Sequence, residues 1–420
     1  MKDAAVIGGG AAGLAAAVFL VRGAKKAGRP LSIVLLEKGG RVGRKLLATG
    51  NGTCNLSNTG ASPARYHGAD PAFVRPALEA FPPAAALRFF SSLGVECRVR
   101  PDGRAYPLPA QASAVLDNLR LECGALGVEE RCGAAVRDIR PEKGGFVLTL
   151  PDGQIRARRV LAAAGGAASP SLGGSADGYG LLTALGHRLA PVFPSIVQVK
   201  TDTAFVRALK GIRIDGRVAF LWEGKRLAEE EGEILFTEYG LSGPAVMQIS
   251  RAVSAWEQAG RRGRMEAALD LLPMMKEDAL PGLLRKRRSL AGRALEEYLT
   301  GLVNKRLGQT VLRAAGITPL SRRADSLTEG ELRRLAVFLK DWRIPVLGTQ
   351  GLGGAQVTAG GIAVQDFDPH TLESRKVKGL YAAGEVLDVD GDCGGFNLQW
   401  AWSSAALAAK SLLASLGTAQ

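Results

Sequence analysis

The chain has 420 residues, is 46% hydrophobic and carries 54 Lys and Arg against 40 Asp and Glu, a formal net charge of +14. This length and composition suit a large core divided over two or three domains and exclude the disordered class. No apolar run reaches membrane-spanning length, the stretch 13–21 soon meets Arg22, Lys25 and Lys26, and five scattered cysteines without a C-x-x-C pair exclude a disulfide framework or zinc site, so we expect a cytoplasmic protein with neither signal peptide nor membrane span.

The apolar run Ala4 to Ile7 predicts a strand that enters Gly8-Gly9-Gly10-Ala11-Ala12-Gly13, followed by a helical stretch and a second strand, Leu31 to Leu36, ending on Glu37. In such a G-x-G-x-x-G turn, Gly8 permits the sharp strand-to-helix corner, Gly10 lets backbone approach a pyrophosphate, and Gly13 lets helix and strand pack closely. The helix N-terminus, with its unpaired N–H groups and positive dipole end, favours the anion. Glu37 is placed to accept from both ribose hydroxyls and argues against a 2′-phosphate there. Ala12 and Lys38 belong to the same expected contact set.

The polar loop 39–55 is too long and too basic for a simple turn. Its backbone N–H groups with Arg44 or Lys45 suit a pyrophosphate, while Thr49, Gly50, Asn51 and Asn55 offer short hydrogen-bonding groups to a polar ring edge. Residues 71–93 then read as two helices and 95–100 as a strand. Residues 128–139, 145–150 and 154–164 read as strands of a small meander, with Pro151-Asp152-Gly153 as a turn and Val136 as a further cofactor contact. The last strand stops at Gly165-Gly166, where backbone can lie against a cofactor.

From residue 191 the pattern changes. Residues 196–200, 211–222, 226–228 and 232–236 are short alternating strands, and 271–339 is helical, with a T-x-x-E capping box at Thr328 and Glu331. We therefore expect an inserted substrate or cap domain over 191–354, β-rich to 270, helical over 271–340 and closed by a returning strand. The FAD-binding part would comprise 1–190 and 355–420.

The tail selects the cofactor. Residues 378–388 form a strand ending in Gly384-Glu385, with Asp388 just beyond, and Gly394-Gly395 opens a small-residue helix through Phe396, Asn397 and Leu398. A nicotinamide-only dehydrogenase has no need of this second ligand-facing junction. In a flavoprotein it supplies an acid near the ribityl chain or pyrophosphate and a helix N-terminus that stabilises the reduced ring, so FAD is expected, held tightly and non-covalently.

Three stretches, Gly43 to Asn58, Gly232 to Pro244 and Val357-Thr358-Ala359-Gly360-Gly361 through Gly395 to Trp402, resemble the BaiN-like family of bacterial FAD-dependent oxidoreductases, also called aminoacetone oxidase-like flavoproteins. The resemblance extends essentially end to end. It implies an α/β fold, a Rossmann-like FAD domain discontinuous in sequence with an inserted β-barrel-like and helical domain. It also implies, by analogy with some members, NAD(P)H-driven reduction of C=C bonds in 3-oxo bile-acid intermediates. The chain departs from the family pattern at Glu238, where Phe-Thr-His-Tyr-Gly is usual, at Thr53, where arginine is common, and at Ala405, where glycine is typical.

A flavin carries the two-electron chemistry itself, so no protein nucleophile is required. His67, His187 and His370 are not paired at ligand spacing and read as packing or surface residues, no metal is expected, and Cys393 reads as a small packing residue. Glu238 and Tyr239 are the candidates for protonating a substrate carbon, set against a purely structural strand-end role. Gly351 to Gln356 lacks the last glycine of a second nucleotide motif, so NAD(P)H is expected as a transient donor. The leading expectation is reduction of a conjugated, apolar carbonyl compound of bile-acid or steroid type. The alternatives are an amine oxidase producing peroxide and, prompted by the arginine runs, a nucleic-acid-associated flavoprotein such as a tRNA-modifying enzyme. No stable nucleic-acid partner is expected, because no aromatic residue interleaves those runs.

Overall fold

In the computed structural model, which describes residues 1–289 and 292–417, strand β1 (Lys2–Ile7) is buried over its last four residues and leads straight into Gly8. A strand covered on both faces reads as a continuous apolar run, and Ala-Ala-Val-Ile is such a run. Helix α1 (Ala11–Lys26) follows, with small buried residues along most of its length, and returns the chain to β2 (Ile33–Leu36), parallel to β1. Helix α2 (Ala112–Ala125) precedes β3 (Glu129–Arg131), which lies parallel on the outer side of β2. The meander β4 (Asp138–Glu142), β5 (Gly145–Leu150) and β6 (Gly153–Ala162) completes this part of the chain.

Strand β6 organises the sheet. Residues 153–157 pair antiparallel with β5, and residues 157–162 run parallel beside β1. Two sequence expectations shift here. Residues 128–139 are not one strand, because the loop 132–137 separates β3 from β4, and 71–93 opens with a single 3-10 turn, Pro71–Val74, before helices Arg75–Ala80 and Pro83–Ser91.

The chain divides into two compact units, Met1–Pro194 with Ala355–Gln420, and Ser195–Gly354. The boundary lies four residues later than the sequence suggests, because the strand Leu189–Ser195 pairs with a strand of the tail. The second unit is built on a closed antiparallel barrel. Its strands are β7 (Val199–Thr201), β8 (Arg213–Trp222), β9 (Lys225–Phe236), β10 (Gly240–Ser242), β11 (Met265–Asp270) and β12 (Trp342–Thr349), arranged in the order β7-β10-β9-β8-β11-β12. The two short strands expected at 226–228 and 232–236 are one continuous β9, since its acidic stretch faces solvent while Ile234 and Phe236 turn inward. Helix α3 (Pro244–Gln258) packs on the barrel. Between β11 and β12 the chain makes α4 (Ala279–Arg288), α5 (Lys305–Ala314) and α6 (Glu329–Lys340), whose leucines share one core with the barrel. The Thr328 and Glu331 capping box starts α6 as its sequence requires.

The tail returns to the first unit through β13 (Val357–Ile362), β14 (Leu380–Ala382) and α7 (Phe396–Gly417). The sequence reads 352–362 as strand throughout, but Gly351–Gly354 is a helical turn and β13 begins at Val357. β14 lies parallel to residues 160–162 of β6, so the parallel core has the order β3-β2-β1-β6-β14. α7 packs on α1, where Gly23 leaves room for Leu413.

Helix α7 is held by buried hydrogen bonds to segments more than 300 residues earlier. Ser57 Oγ donates to Gln399 Oε1 at 2.6 Å, Gln399 Nε2 donates to Phe81 O at 3.0 Å, and Trp402 Nε1 donates to Leu56 O at 2.9 Å. Each buried group left without its partner costs about 1–3 kcal/mol. Gln399→Leu leaves Ser57 Oγ without its acceptor, while Phe81 O keeps the bond from Ser403 Oγ at 2.7 Å, and is expected to destabilise the protein by about 1–3 kcal/mol, read as a lower urea midpoint at unchanged slope.

Asp366, buried behind β13, accepts from Arg188 N at 2.7 Å and Nη2 at 2.8 Å and pairs with Lys376 at 3.1 Å. Burial alone would raise its pKa, but the Arg188 and Lys376 bonds outweigh it and hold the carboxyl at about 2, below its ordinary 3.8. A depressed acid stabilises the fold above its unfolded pKa and loses that contribution as pH falls through the folded value. Asp366→Asn should therefore cost about 2 kcal/mol at neutral pH, with the difference from wild type vanishing between about pH 4 and pH 2 in acid-unfolding curves.

Candidate cofactor site

The carboxyl ends of β1, β2, β6 and β14 meet at one edge of the first unit. Gly8 N donates to Leu36 O at 2.8 Å, Ala163 N to Ile7 O at 2.8 Å, and Ala383 N to Ala162 O at 3.0 Å. Gly8 has φ +104°, and a Cβ there would stand 2.3 Å from Ala163 O. A Cβ on Gly13 would stand 1.9 Å from Gly8 O, so these two glycines are required by the protein's own packing.

Gly10 is different. It caps α1 with φ −84° and ψ −167°, open to any residue, and an added Cβ would meet no atom within 4 Å. Nothing among the described residues demands glycine here. The backbone is left open to approach from outside, as the pyrophosphate of a dinucleotide would require. No acidic residue occupies the first turn of α1, and its leading N–H groups have no intrahelical acceptor.

Glu37 sits at the end of β2, where Oε2 accepts from Gly9 N at 2.8 Å and Oε1 from Gly39 N at 2.7 Å. These bonds fix the carboxylate, and each oxygen keeps a lone pair for a hydroxyl. Val136, half-buried, lies in the connection beside this strand end, where Ala134 N donates to Glu37 O at 2.8 Å. Lys38 extends away to Asp177, with Nζ to Oδ2 at 2.9 Å.

The loop 39–55 uses several of its candidate side chains internally. Arg44, at the start of the short helix Arg44–Ala48, donates from Nη2 to Ser171 O at 2.6 Å, Lys45 pairs with Glu385 Oε2 at 2.7 Å, and Thr49 Oγ1 donates to Leu46 O at 2.6 Å. Gly50 and Asn51 take left-handed conformations, with Asn51 exposed. Asn55 keeps an open function, since its Oδ1 is buried without a hydrogen-bond partner among the described residues. It lies where a Cβ on Gly395 would be 2.8 Å away, beside the start of α7.

At the tail junction, Gly384 has φ +75°, its N–H donates to Ser404 Oγ at 2.9 Å, and a Cβ would press on Ala12 of α1 at 2.9 Å. Glu385 accepts from Lys45 and, through Oε1, from Thr358 N at 2.7 Å. Thr358 was not among the candidates read from sequence. Its hydroxyl accepts from Ala168 N at 2.9 Å and ties the Gly165-Gly166 turn to the tail, a pairing that no local pattern could disclose. Gly165 itself has φ +74° and open space at its Cβ position.

Asp388 is buried and accepts from Ala69 N at 3.0 Å. Asn397 is likewise turned to its own loop, accepting from Gly391 N and donating to Gly391 O, both at 2.8 Å. What the α7 terminus presents is the backbone of Gly395, Phe396, Asn397 and Leu398, with Phe396 buried against Tyr66. Gly395 has φ +99° and lies so close to Ser57 O that a Cβ would be 2.4 Å from it.

The two residues considered for proton transfer belong to the barrel unit. Glu238 is exposed and pairs with Lys210 at 2.5 Å, a hydrogen bond that lowers its pKa, so near neutral pH it holds no proton to donate. Tyr239 is half-buried, with its carbonyl accepting from Thr201 N at 3.1 Å, and its phenol is the remaining donor of the pair. His187 is buried between Leu182 O and Ser374 Oγ and stacks on Phe367, and burial lowers its pKa, so it packs as a neutral ring. Burial raises the Cys393 thiol, which disfavours the thiolate.

Comparison with known proteins places these features in a group. The family described as HI0933-like protein Rossmann domain matches residues 2–411. A 3-dehydro-bile acid delta(4,6)-reductase of Clostridium scindens is 37% identical over 411 residues, 98% of each chain. A ribosomal RNA dihydrouridine synthase of Escherichia coli is 31% identical over 415 residues, again 98% of each. Among solved structures, a 3-ketosteroid delta1-dehydrogenase of Sterolibacterium denitrificans shares the fold at TM-score 0.51 and 15% identity, with 99% of each chain covered.

Gly10 separates ligand binding from folding. Gly10→Val should leave the thermal stability of the cofactor-free protein unchanged and reduce FAD retention at least about tenfold, whereas Gly13→Ala should lower stability with or without cofactor. Flavin absorbance after gel filtration, alongside thermal melts, checks both outcomes.

Proposed function

This chain belongs to the HI0933-like Rossmann family, and from that premise we propose that it is an FAD-dependent reductase of a carbon–carbon double bond conjugated to a carbonyl, with NAD(P)H as donor. The observation that carries this reading is the convergence of two ligand-facing elements, the Gly8 to Gly13 turn and the N-terminus of α7, on one unit although nearly 400 residues separate them. A bound flavin supplies hydride transfer in both directions. The α1 terminus would hold the pyrophosphate, Glu37 the ribose hydroxyls, and the α7 terminus with Asn55 the polar edge of the ring. The pair Lys45 and Glu385 would keep the two halves of the site in register. Tyr239 is our candidate proton donor, its neighbour Glu238 being paired with Lys210. Without a complete second nucleotide motif, NAD(P)H would visit this same site and leave before the acceptor binds.

The names of the two relatives describe related chemistry. One reduces double bonds in a 3-keto steroid skeleton, and the other saturates a pyrimidine ring whose double bond is also conjugated to a carbonyl. The first supports the apolar enone substrate inferred from sequence. A second reading, uridine within RNA, is favoured by one observation. The barrel portion of the inserted unit, 195–270 with 341–354, holds 12 Lys and Arg and 12 Asp and Glu, whereas 271–340 holds 14 and 7. The unit's whole positive excess thus lies on its helices.

Anaerobic mixing of the FAD-loaded protein with NADH or NADPH should bleach the oxidised flavin band within seconds, and a 3-keto-4-ene steroid or a uridine-containing RNA should restore it. Absence of bleaching by either nucleotide, with bleaching and oxygen-dependent peroxide formation on addition of an amine, would replace the reductase with an oxidase.

A further inference from the structure

We infer that the exposed faces of α4, α5 and α6 form one docking surface for the phosphate backbone of RNA. The inference rests on the second substrate reading above and assigns it a location. Arg285 Nε and Arg288 Nη1, on the last turns of α4, both reach Glu329 at the start of α6, at 2.8 and 3.3 Å. One helical turn further along α6, Arg333 and Arg334 are exposed, and Arg334 Nε donates to Ala315 O at the end of α5 at 3.4 Å. Arg313, exposed on the last turn of α5, and Lys286, exposed on α4, complete the set. Arg285 and Arg288 of α4 thus share Glu329, Arg333 acts on the same carboxylate through its charge, and Lys286, Arg313 and Arg334 are exposed on the same three helices.

Glu329 divides its charge between Arg285 and Arg288, with Arg333 in electrostatic reach, while the side chains of Lys286, Arg313 and Arg333 make no hydrogen bond or ion pair among the described residues. Exposed cations in excess of the acids on these helices repel one another, and a polyanion relieves that repulsion while releasing its own counterions. Guanidinium groups suit phosphate oxygens in particular, because two parallel N–H donors match two oxygens. A lipid surface fits less well. The apolar faces of these helices, including Leu280, Leu284, Leu307, Val311, Leu332 and Leu335, are buried in the unit's own core, and Val337 is the large apolar side chain they leave exposed. Insertion into an interface needs an apolar face that these helices do not offer.

The test uses the full-length, FAD-loaded protein and a uridine-containing RNA hairpin of about 30 nucleotides, long enough to span several phosphate contacts. The triple variant Lys286→Gln, Arg313→Gln and Arg333→Gln removes only side chains that make no hydrogen bond or ion pair among the described residues. Wild type should bind with a steep salt dependence. The variant should bind at least about tenfold more weakly at 100 mM salt, with the slope of log affinity against log salt reduced by about two to three, and with FAD content and nicotinamide-driven bleaching unchanged. If wild type does not bind the hairpin, the RNA reading falls and the surface with it. Binding by the variant equal to wild type would leave that reading standing and overturn the surface. Vesicles of phosphatidylserine bound as tightly as the hairpin, with the same loss in the variant, would assign these residues to a membrane and overturn the inference.

Discussion

The fold depends on bringing the last helix back onto the first strand unit and keeping it there by buried polar bonds. Ser57, Leu56 and Phe81 offer groups that cannot remain unpaired in the interior, and Gln399 and Trp402 of α7 satisfy them. Apolar packing between α1 and α7 would tolerate sliding by a residue or two, because both surfaces are lined by small side chains. Hydrogen bonds do not, since their geometry fails within a fraction of an ångström. They therefore set the register in which the α7 terminus reaches the glycine turn. The close approach of Gly395 to Ser57 O follows from the same register.

Two kinds of glycine serve the site. Gly8 and Gly13 are dictated by backbone contacts within the protein, whereas Gly10 is dictated by none. Sequence inspection treats the three alike, and only the surrounding atoms show that Gly8 and Gly13 are required by packing and Gly10 is not. The basic side chains divide in a comparable way. Arg44 and Lys45 lie in a loop of anion-binding character, yet each has an internal acceptor, while Lys286 and Arg313 keep their charge exposed. The arginine run near 262 is also less bare than it looks in sequence, because Arg261 pairs with Glu257 and Arg264 with Glu266.

The β1-α1-β2 corner, the alternation from β-rich to helical in the insertion, the capping box at Thr328 and the turn-to-helix junction at Gly384 and Gly395 were legible in the residues alone. All are local patterns in which backbone preference and hydrophobic period act over a few residues. The sequence also carried the family blocks from which the cofactor and the discontinuous domain were expected. Which side chains near the candidate site are spent on the protein itself depends on the folded arrangement. It joined Lys45 to Glu385 and Thr358 to Ala168, turned Asn397 onto Gly391, left Asn55 Oδ1 without a partner among the described residues, closed six strands into a barrel, and brought Arg285 and Arg288 of α4 onto Glu329 of α6. These are pairings across tens to hundreds of residues. Their energies depend on distance and burial, which composition, period and spacing do not encode.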